Sequence, residues 1–536
     1  MLIPLLLALP LPILDDPVVA PAFDSAPLTV GQVTFARRTL GNGLQALAVR
    51  GEASTASLFV VIGAGTGTEG PATTGLAHLV EHTLFTGTAT TGTDEHERRI
   101  VAWGGESNAF TREDYTLYYD HGFPAEHLAQ VLAMEADRLR NLTFDEGPFL
   151  HERWRLEHEE AGAFTQAEAR AELLDAAMFQ AGPYAAGVRD ADGHTLAPDL
   201  TLEQARDFYD LWYHPDRTAV VAVVPAGHAG PAAALDAIED AFAHLPPGPP
   251  APPRAQESDD RRGGSYAFAS SLPADKRYHG WVGPARHEPR QDERALDEPW
   301  ADRLALTLVA EVLATRHRGE PGAPLEVSMG GRQQRDLFLV GCAGEDAAER
   351  MTALREELDT RPVIDAELAA AAAELADDFQ DIPVAARPYF SLAGTMGIHA
   401  VLGDPAWPAR WPARLESLTA ADLSAAVAFW LDPERVVAVT FLGIGEAADE
   451  AFALPEDPTE LAAFAQDASE AGDYGAAIAA YERLLELGAD RMNAVIYGYY
   501  LGTLKRETGD LEGALADLEA ALEVVDYPAV RELAGR

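Results

Sequence analysis

Between Leu245 and Arg262 the chain runs through Pro-Pro-Gly-Pro-Pro-Ala-Pro-Pro and then a stretch of mixed charges. Proline has no amide hydrogen and a locked φ, so this run cannot lie inside a helix or a central strand. It reads as a stiff, extended linker at residues 246–263. The chain has 536 residues, and single hydrophobic cores stop growing at about 250–300. The linker therefore separates two folding units, residues 30–245 and 264–450.

Each unit mixes strands and helices. In the first, residues 33–40 and 44–49 form strands joined by Gly41-Asn42-Gly43, a hairpin-type turn. Residues 57–63 (SLFVVIG) form a short buried strand, 106–120 two strands around a polar turn, and 218–224 a closing strand. Helices are expected over 94–103, 125–141, 146–160, 166–179 and 202–212. The second unit repeats this order loosely, with strands at 266–269, 277–282, 337–342 and 436–442. Its helices are expected at 300–315, 347–358, 365–377 and 420–430. The fold class is α+β in both.

Residues 456–536 differ. The segment from Gly472 to Leu487 aligns with that from Gly509 to Val524 at an offset of 37 (509 − 472), close to the 34-residue tetratricopeptide period. Ala477, Ala480, Ala514 and Ala521 permit close helix packing. The tail reads as an all-α helical-repeat segment and a place for a protein partner; a plain pair of helical hairpins has the same composition. At the other end, residues 1–29 hold an apolar run closed by Asp15-Asp16. It resembles a signal peptide without a positive start, so export to the periplasm or exterior is expected, with a cytoplasmic location as the alternative. No later stretch has the length of a membrane helix.

Net charge is −46, from 86 acidic and 40 basic residues. Nucleic-acid affinity depends on cations that neutralise phosphates, so nucleic acid is disfavoured as a partner. One cysteine, Cys342, excludes an internal disulfide and a cysteine-based metal cluster.

The chemistry concentrates in residues 75–88, where His78, Glu81 and His82 stand in the order H-x-x-E-H. Residues four apart share one helical face, so His78 and His82 can hold one metal ion. Imidazole suits Zn²⁺, whose catalytic sites keep a position for water. Glu81 is placed to take a proton from that water. A third protein ligand is expected, and Glu152, Glu157, Glu159 and Glu160 on one helix are the candidates.

Gly75-Leu-Ala-His-Leu-Val-Glu-His82 followed by Phe85-Thr-Gly-Thr88 resembles the pitrilysin, insulin-degrading enzyme and mitochondrial processing peptidase family of inverted zincins. The resemblance covers about residues 30–445 and implies a third ligand 70 to 80 residues after the second His, with a Glu-Arg pair seven residues before it. Glu152-Arg153 precedes Glu159 by seven, and Glu159 lies 77 after His82 (159 − 82). The resemblance thus selects Glu159 as ligand and Glu152 as its supporting carboxylate. It also implies that Asn108 and Ala109 lie on an edge strand that pairs with an extended substrate.

In the second half the family carries an Arg, a Gly four residues later and a Tyr seven residues later. Here Arg318 and Gly322 keep the pattern, but Leu325 stands in the Tyr position.

The resemblance implies two homologous α+β domains forming half of a clamshell, one catalytic and one inactive. It implies a zinc endopeptidase acting on peptides or unfolded segments, working as a homodimer or with a related subunit. The expected site is His78, His82 and Glu159 on Zn²⁺, with Glu81 as base and Arg318 assisting. A non-catalytic or weakly active assembly subunit is the alternative, favoured by Leu325.

Overall fold

The computed structural model describes residues 26–70, 73–162, 200–251, 263–269, 276–282, 300–318, 325–331, 336–344, 346–380, 382–385, 391–402, 406–432, 434–442, 458–470 and 474–487. A few single positions elsewhere are also described. The apolar start, most of the expected helix at 166–179, residues 252–262, residues 319–324 including Gly322, and most of the second repeat lie outside the described residues.

The chain divides into two compact units, the larger holding residues up to Leu156, 174–267 and 276–440, the smaller holding 157–173, 268–275 and 441–536.

In the larger unit the first elements in order are β1 (Leu28–Val30), β2 (Val33–Thr39), β3 (Gln45–Arg50), β4 (Ala56–Ile62), α1 (Leu76–Thr83) and α2 (Glu95–Ala102). They continue with β5 (Glu106–Thr111), β6 (Thr116–Phe123), α3 (Leu128–Arg140), α4 (Glu146–Gly162), α5 (Leu202–Trp212), β7 (Thr218–Val224) and α6 (Pro231–Phe242). The strands form a seven-stranded sheet ordered β1-β2-β3-β7-β4-β6-β5. Only β3 and β7 run parallel; the other neighbours are antiparallel.

Strand periodicity decides what covers each face. Successive side chains point to opposite sides of a sheet, so Phe59, Val61, Val221 and Val223 enter one core while Leu58, Val60, Val220 and Ala222 enter the other. The second core is roofed by helices of the same domain, including Leu76, Leu79 and Val80 of α1. The hairpin turn at Gly41-Asn42-Gly43 is tied into this layer. Buried Asn42 donates from Nδ2 to the Phe242 and Leu245 carbonyls, at 2.8 and 3.0 Å.

The remaining elements of this part of the chain are β8 (Gly264–Ala269), β9 (Lys276–Val282), α7 (Trp300–Arg316), β10 (Glu326–Gly331) and β11 (Asp336–Ala343). After them come α8 (Ala347–Thr360), α9 (Asp365–Gln380), α10 (Leu392–Leu402), α11 (Trp407–Ser417), α12 (Ala420–Trp430) and β12 (Val437–Leu442). The strands form a five-stranded sheet ordered β10-β11-β9-β12-β8. Helix α10 packs on β7, β4 and β3 of the first sheet. Its residues Met396, Ala400 and Val401 share a core with Val61 and Val221. The two sequence halves are thus joined by a buried apolar layer as well as by chain.

The expected α+β class holds. The start of the expected linker is tied to the first domain: the Gly248 amide donates to Asp216 Oδ1 at 2.8 Å, and Arg217 bonds the Pro249 carbonyl. In the smaller unit, α13 (Pro458–Glu470) and α14 (Tyr474–Glu486) pack together. Ala465, Ala477, Ala480 and Leu484 are buried between them, as small residues at helix contacts allow. No helix among the described residues is long and apolar enough to cross a membrane.

Candidate metal centre

The loop before α1 is shaped by backbone contacts. The amides of Thr66 and Gly67 donate to the carbonyls of Arg112 and Glu113 in the β5–β6 turn, at 3.0 and 2.7 Å. A Cβ on Gly65 would lie 1.8 Å from the Arg112 oxygen, so only glycine allows this approach. Helix α1 then starts at Gly75, φ +84°, which has no side chain to cap it. Glu69 supplies the cap from six residues upstream. Its Oε2 accepts from the Gly75 amide at 2.8 Å and its Oε1 from the Ala77 amide at 2.6 Å. Burial pushes Glu69 up to about 8, with the two amides pulling the other way.

Leu76, Leu79 and Val80 anchor α1 in the core, which turns His78, Glu81 and His82 to another side. The two imidazole rings stand edge to face with centroids 4.8 Å apart. Burial, and then the neighbouring His82, push His78 down to about 3. It is therefore neutral at pH 7, the form that ligates metals.

His82 Nδ1 lies 3.3 Å from Oε2 of Glu152 on α4. Burial would raise Glu152, but the bond to His82 and the charge of Arg155, 3.1 Å away, hold it below its usual range. An ionised Glu152 accepts a hydrogen bond from Nδ1–H, which makes Nε2 the nitrogen that a metal would take. Carboxylates behind ligating histidines act this way.

Glu81 is buried at 6% exposure, and its Oε2 accepts from the Thr111 hydroxyl at 2.6 Å. The phenols of Tyr118 and Tyr213 touch at 2.8 Å. Burial, with Glu81 nearby among the causes, pushes both up, so both stay protonated. Phe85-Thr86-Gly87-Thr88 is pinned beside the helix: Asp94 N–H donates to the Phe85 carbonyl at 2.9 Å, and Thr88 bonds Asp137 of α3.

Among the described residues strand β5 pairs only with β6 and forms the sheet edge. Asn108 is exposed, and its Oδ1 accepts from the Ala109 amide at 2.8 Å. Helix α4 runs through Glu159, whose side chain lies outside the described residues. Arg318 follows α7, with its guanidinium 3.5 Å from Glu374 and mostly exposed. Leu325 is half-buried against the core containing α7. The structure thus brings His78, His82, Glu81 and Glu152 together with Thr111, two residues along β5 from Ala109.

A second buried cluster meets simple metal-site geometry. Ligand atoms of His96, Asp120 and Glu135 all lie within 4.8 Å of one another. Arg138 decides against a metal there: it grips both oxygens of Glu135, at 2.6 and 2.7 Å, and packs 4.8 Å from the Tyr118 ring centre. Burial would raise Asp120, but His96 and Arg138 pull it down to about 2. This cluster already contains its cation.

Two residues of the centre escaped sequence reasoning. Thr111 is one of many hydroxyl residues along the chain, and only tertiary structure aims it. Glu69 left a faint signal, as the one acidic residue in a Gly/Thr/Ala stretch before a helix lacking a capping side chain.

Residues 46–192 match the insulinase family (peptidase family M16), and residues 199–360 match the peptidase M16 inactive domain. The chain belongs to this family. An uncharacterized zinc protease of Bacillus subtilis, YmxG, is 29% identical over 31% of the chain and 40% of its own length. The mitochondrial-processing peptidase subunit beta of Blastocladiella emersonii is 31% identical over 36% of the chain and 41% of its own. The chain thus matches about two-fifths of these curated relatives' length. A protease structure from Helicobacter pylori superposes with a TM-score of 0.64 at 19% identity, covering 76% of this chain and 99% of that one. That likeness fixes the fold, two M16-type α+β domains.

Proposed function

We propose that the chain is a zinc-dependent endopeptidase acting on peptides or unfolded segments. The observation that carries this reading is the paired His78 and His82 with Glu152 behind His82. Two imidazoles with one ligating carboxylate form the donor set that zinc takes in hydrolases. His78 and His82 would hold the ion, and Glu159 completes the set in this proposal. Zinc bound there would polarise a water and bring its pKa near about 7.

The chain's own residues do the rest. Glu81 takes a proton from the attacking water and returns it to the leaving amine, as a base turned acid does. Glu152 keeps the His82 ring oriented through Nδ1. Strand β5 receives an extended peptide along its unpaired side, where main-chain hydrogen bonds tolerate many side chains. Asn108 and Ala109 are the substrate positions on it, and Arg318 assists at the developing oxyanion after leaving Glu374. A second copy or a related subunit completes the chamber, and the C-terminal helices offer a protein-docking surface.

Half-burial of Leu325 in an apolar core favours a second reading, a weakly active or non-catalytic assembly subunit. Leucine cannot donate a hydrogen bond to an oxyanion, a contribution worth several kcal/mol.

Metal content tests the site. Wild type should retain about one zinc per chain after dialysis, and His78→Ala, His82→Ala and Glu159→Gln should each lose most of it. Undiminished zinc in all three variants would remove the assignment.

A further inference from the structure

We propose that Thr111 is a positioning residue for Glu81, an inference that rests on reading Glu81 as the general base. Its hydroxyl donates to Glu81 Oε2 at 2.6 Å, the length of a charge-assisted O–H···O⁻ bond. The donor direction follows from the neighbours. A carboxylate only accepts, so the proton comes from Thr111. The nearby Thr116 hydroxyl, 3.5 Å away, spends its own proton on the Ala64 carbonyl at 2.9 Å.

Glu81 is one of the buried charged residues, and a buried carboxylate depends on donors that the protein supplies. A hydrogen bond to one oxygen fixes the rotation of the whole carboxylate. Thr111 is also the last residue of β5, paired with Thr116 in the ladder. The base is therefore tethered to the strand that carries Asn108 and Ala109. A peptide laid along β5 and the group that activates water are held by one rigid strand.

Valine has the shape of threonine without the donor, and serine has the donor without the methyl. Zinc-loaded Thr111→Val should lose roughly 10- to 100-fold in kcat on a fluorogenic peptide, with KM and zinc content unchanged, as loss of an outer-shell partner does. Thr111→Ser should recover most of it. Thr111→Val with wild-type kcat, or Thr111→Ser as impaired as Thr111→Val, would overturn the proposal.

A second measurement needs no turnover. In thermal unfolding of the metal-free full chain, Thr111→Val should lower Tm in the wild-type background and hardly at all beside Glu81→Ala. Additive losses would overturn the pairing. If wild type shows no Glu81-dependent cleavage, the positioning role falls with the base assignment. A coupled thermal cycle would then show that the bond was right and the base reading wrong.

Discussion

Two buried clusters of histidine and carboxylate lie in the first domain, and they differ in what balances the charge. His96, Asp120 and Glu135 enclose Arg138, which makes a fork to Glu135 and a face contact to Tyr118. His78, Glu81, His82 and Glu152 have Arg155 at the rim, on the outer side of Glu152. The first cluster is complete as the chain folds. The second presents two imidazole rings whose nitrogens a divalent cation would join. Proximity of ligand-type residues does not mark a metal site; a built-in guanidinium argues against one.

Arg138→Leu tests the first half of this contrast and should have the largest effect. It leaves two buried carboxylates with one fewer cation, and such changes cost about 3–5 kcal/mol. Denaturant unfolding should show that loss, and zinc should not restore it. A variant as stable as wild type would mean that the cluster does not depend on its arginine.

Glu152→Gln tests the second half. The amide cannot hold His82 Nδ1–H as strongly, so zinc affinity should fall roughly 10- to 100-fold, with stability of the metal-free chain little changed. Competition with a chelator measures it. Unchanged affinity would separate Glu152 from the centre.

The smallest effect is one of pH. Asp120 is pulled down to about 2 in the folded chain, against about 3.9 unfolded. A depressed carboxylate contributes stability above the unfolded value, and it is lost as pH falls through the folded value. About 2 kcal/mol should therefore disappear between roughly pH 4 and pH 2. Glu135, pushed up by burial, works in the opposite sense and softens the slope. Asp120→Asn should be less stable at pH 7 and should flatten that part of the acid profile.

Much of the fold was legible because alternation and helical spacing are local. Residues 202–212 and 218–224 form the expected helix and strand without a shifted end. Among the described residues, three helices were missed for physical reasons. Helix α10 (LAGTMGIHAVL) is buried almost throughout, so it lacks the polar face that gives a 3.6-residue rhythm. Helix α11 contains Pro408 and Pro412, and proline argues against helix. Helix α6 begins Pro-Ala-Ala-Ala after a glycine-bounded loop, where composition gives little contrast.

The centre divides the same way. His78, Glu81 and His82 are close in sequence and could be read directly. Glu152 needed the resemblance, and Thr111 and Glu69 needed the fold, since strand pairing and a loop turn bring them to the helix.

The most direct test of the central claim is hydrolysis of a mixed fluorogenic peptide pool by zinc-loaded wild type beside Glu81→Gln. Wild type should cleave, and the Gln variant should keep zinc while losing cleavage by orders of magnitude. Zinc bound at one per chain with no cleavage by either protein, alone or as a dimer, would contradict the peptidase account and leave the assembly-subunit reading.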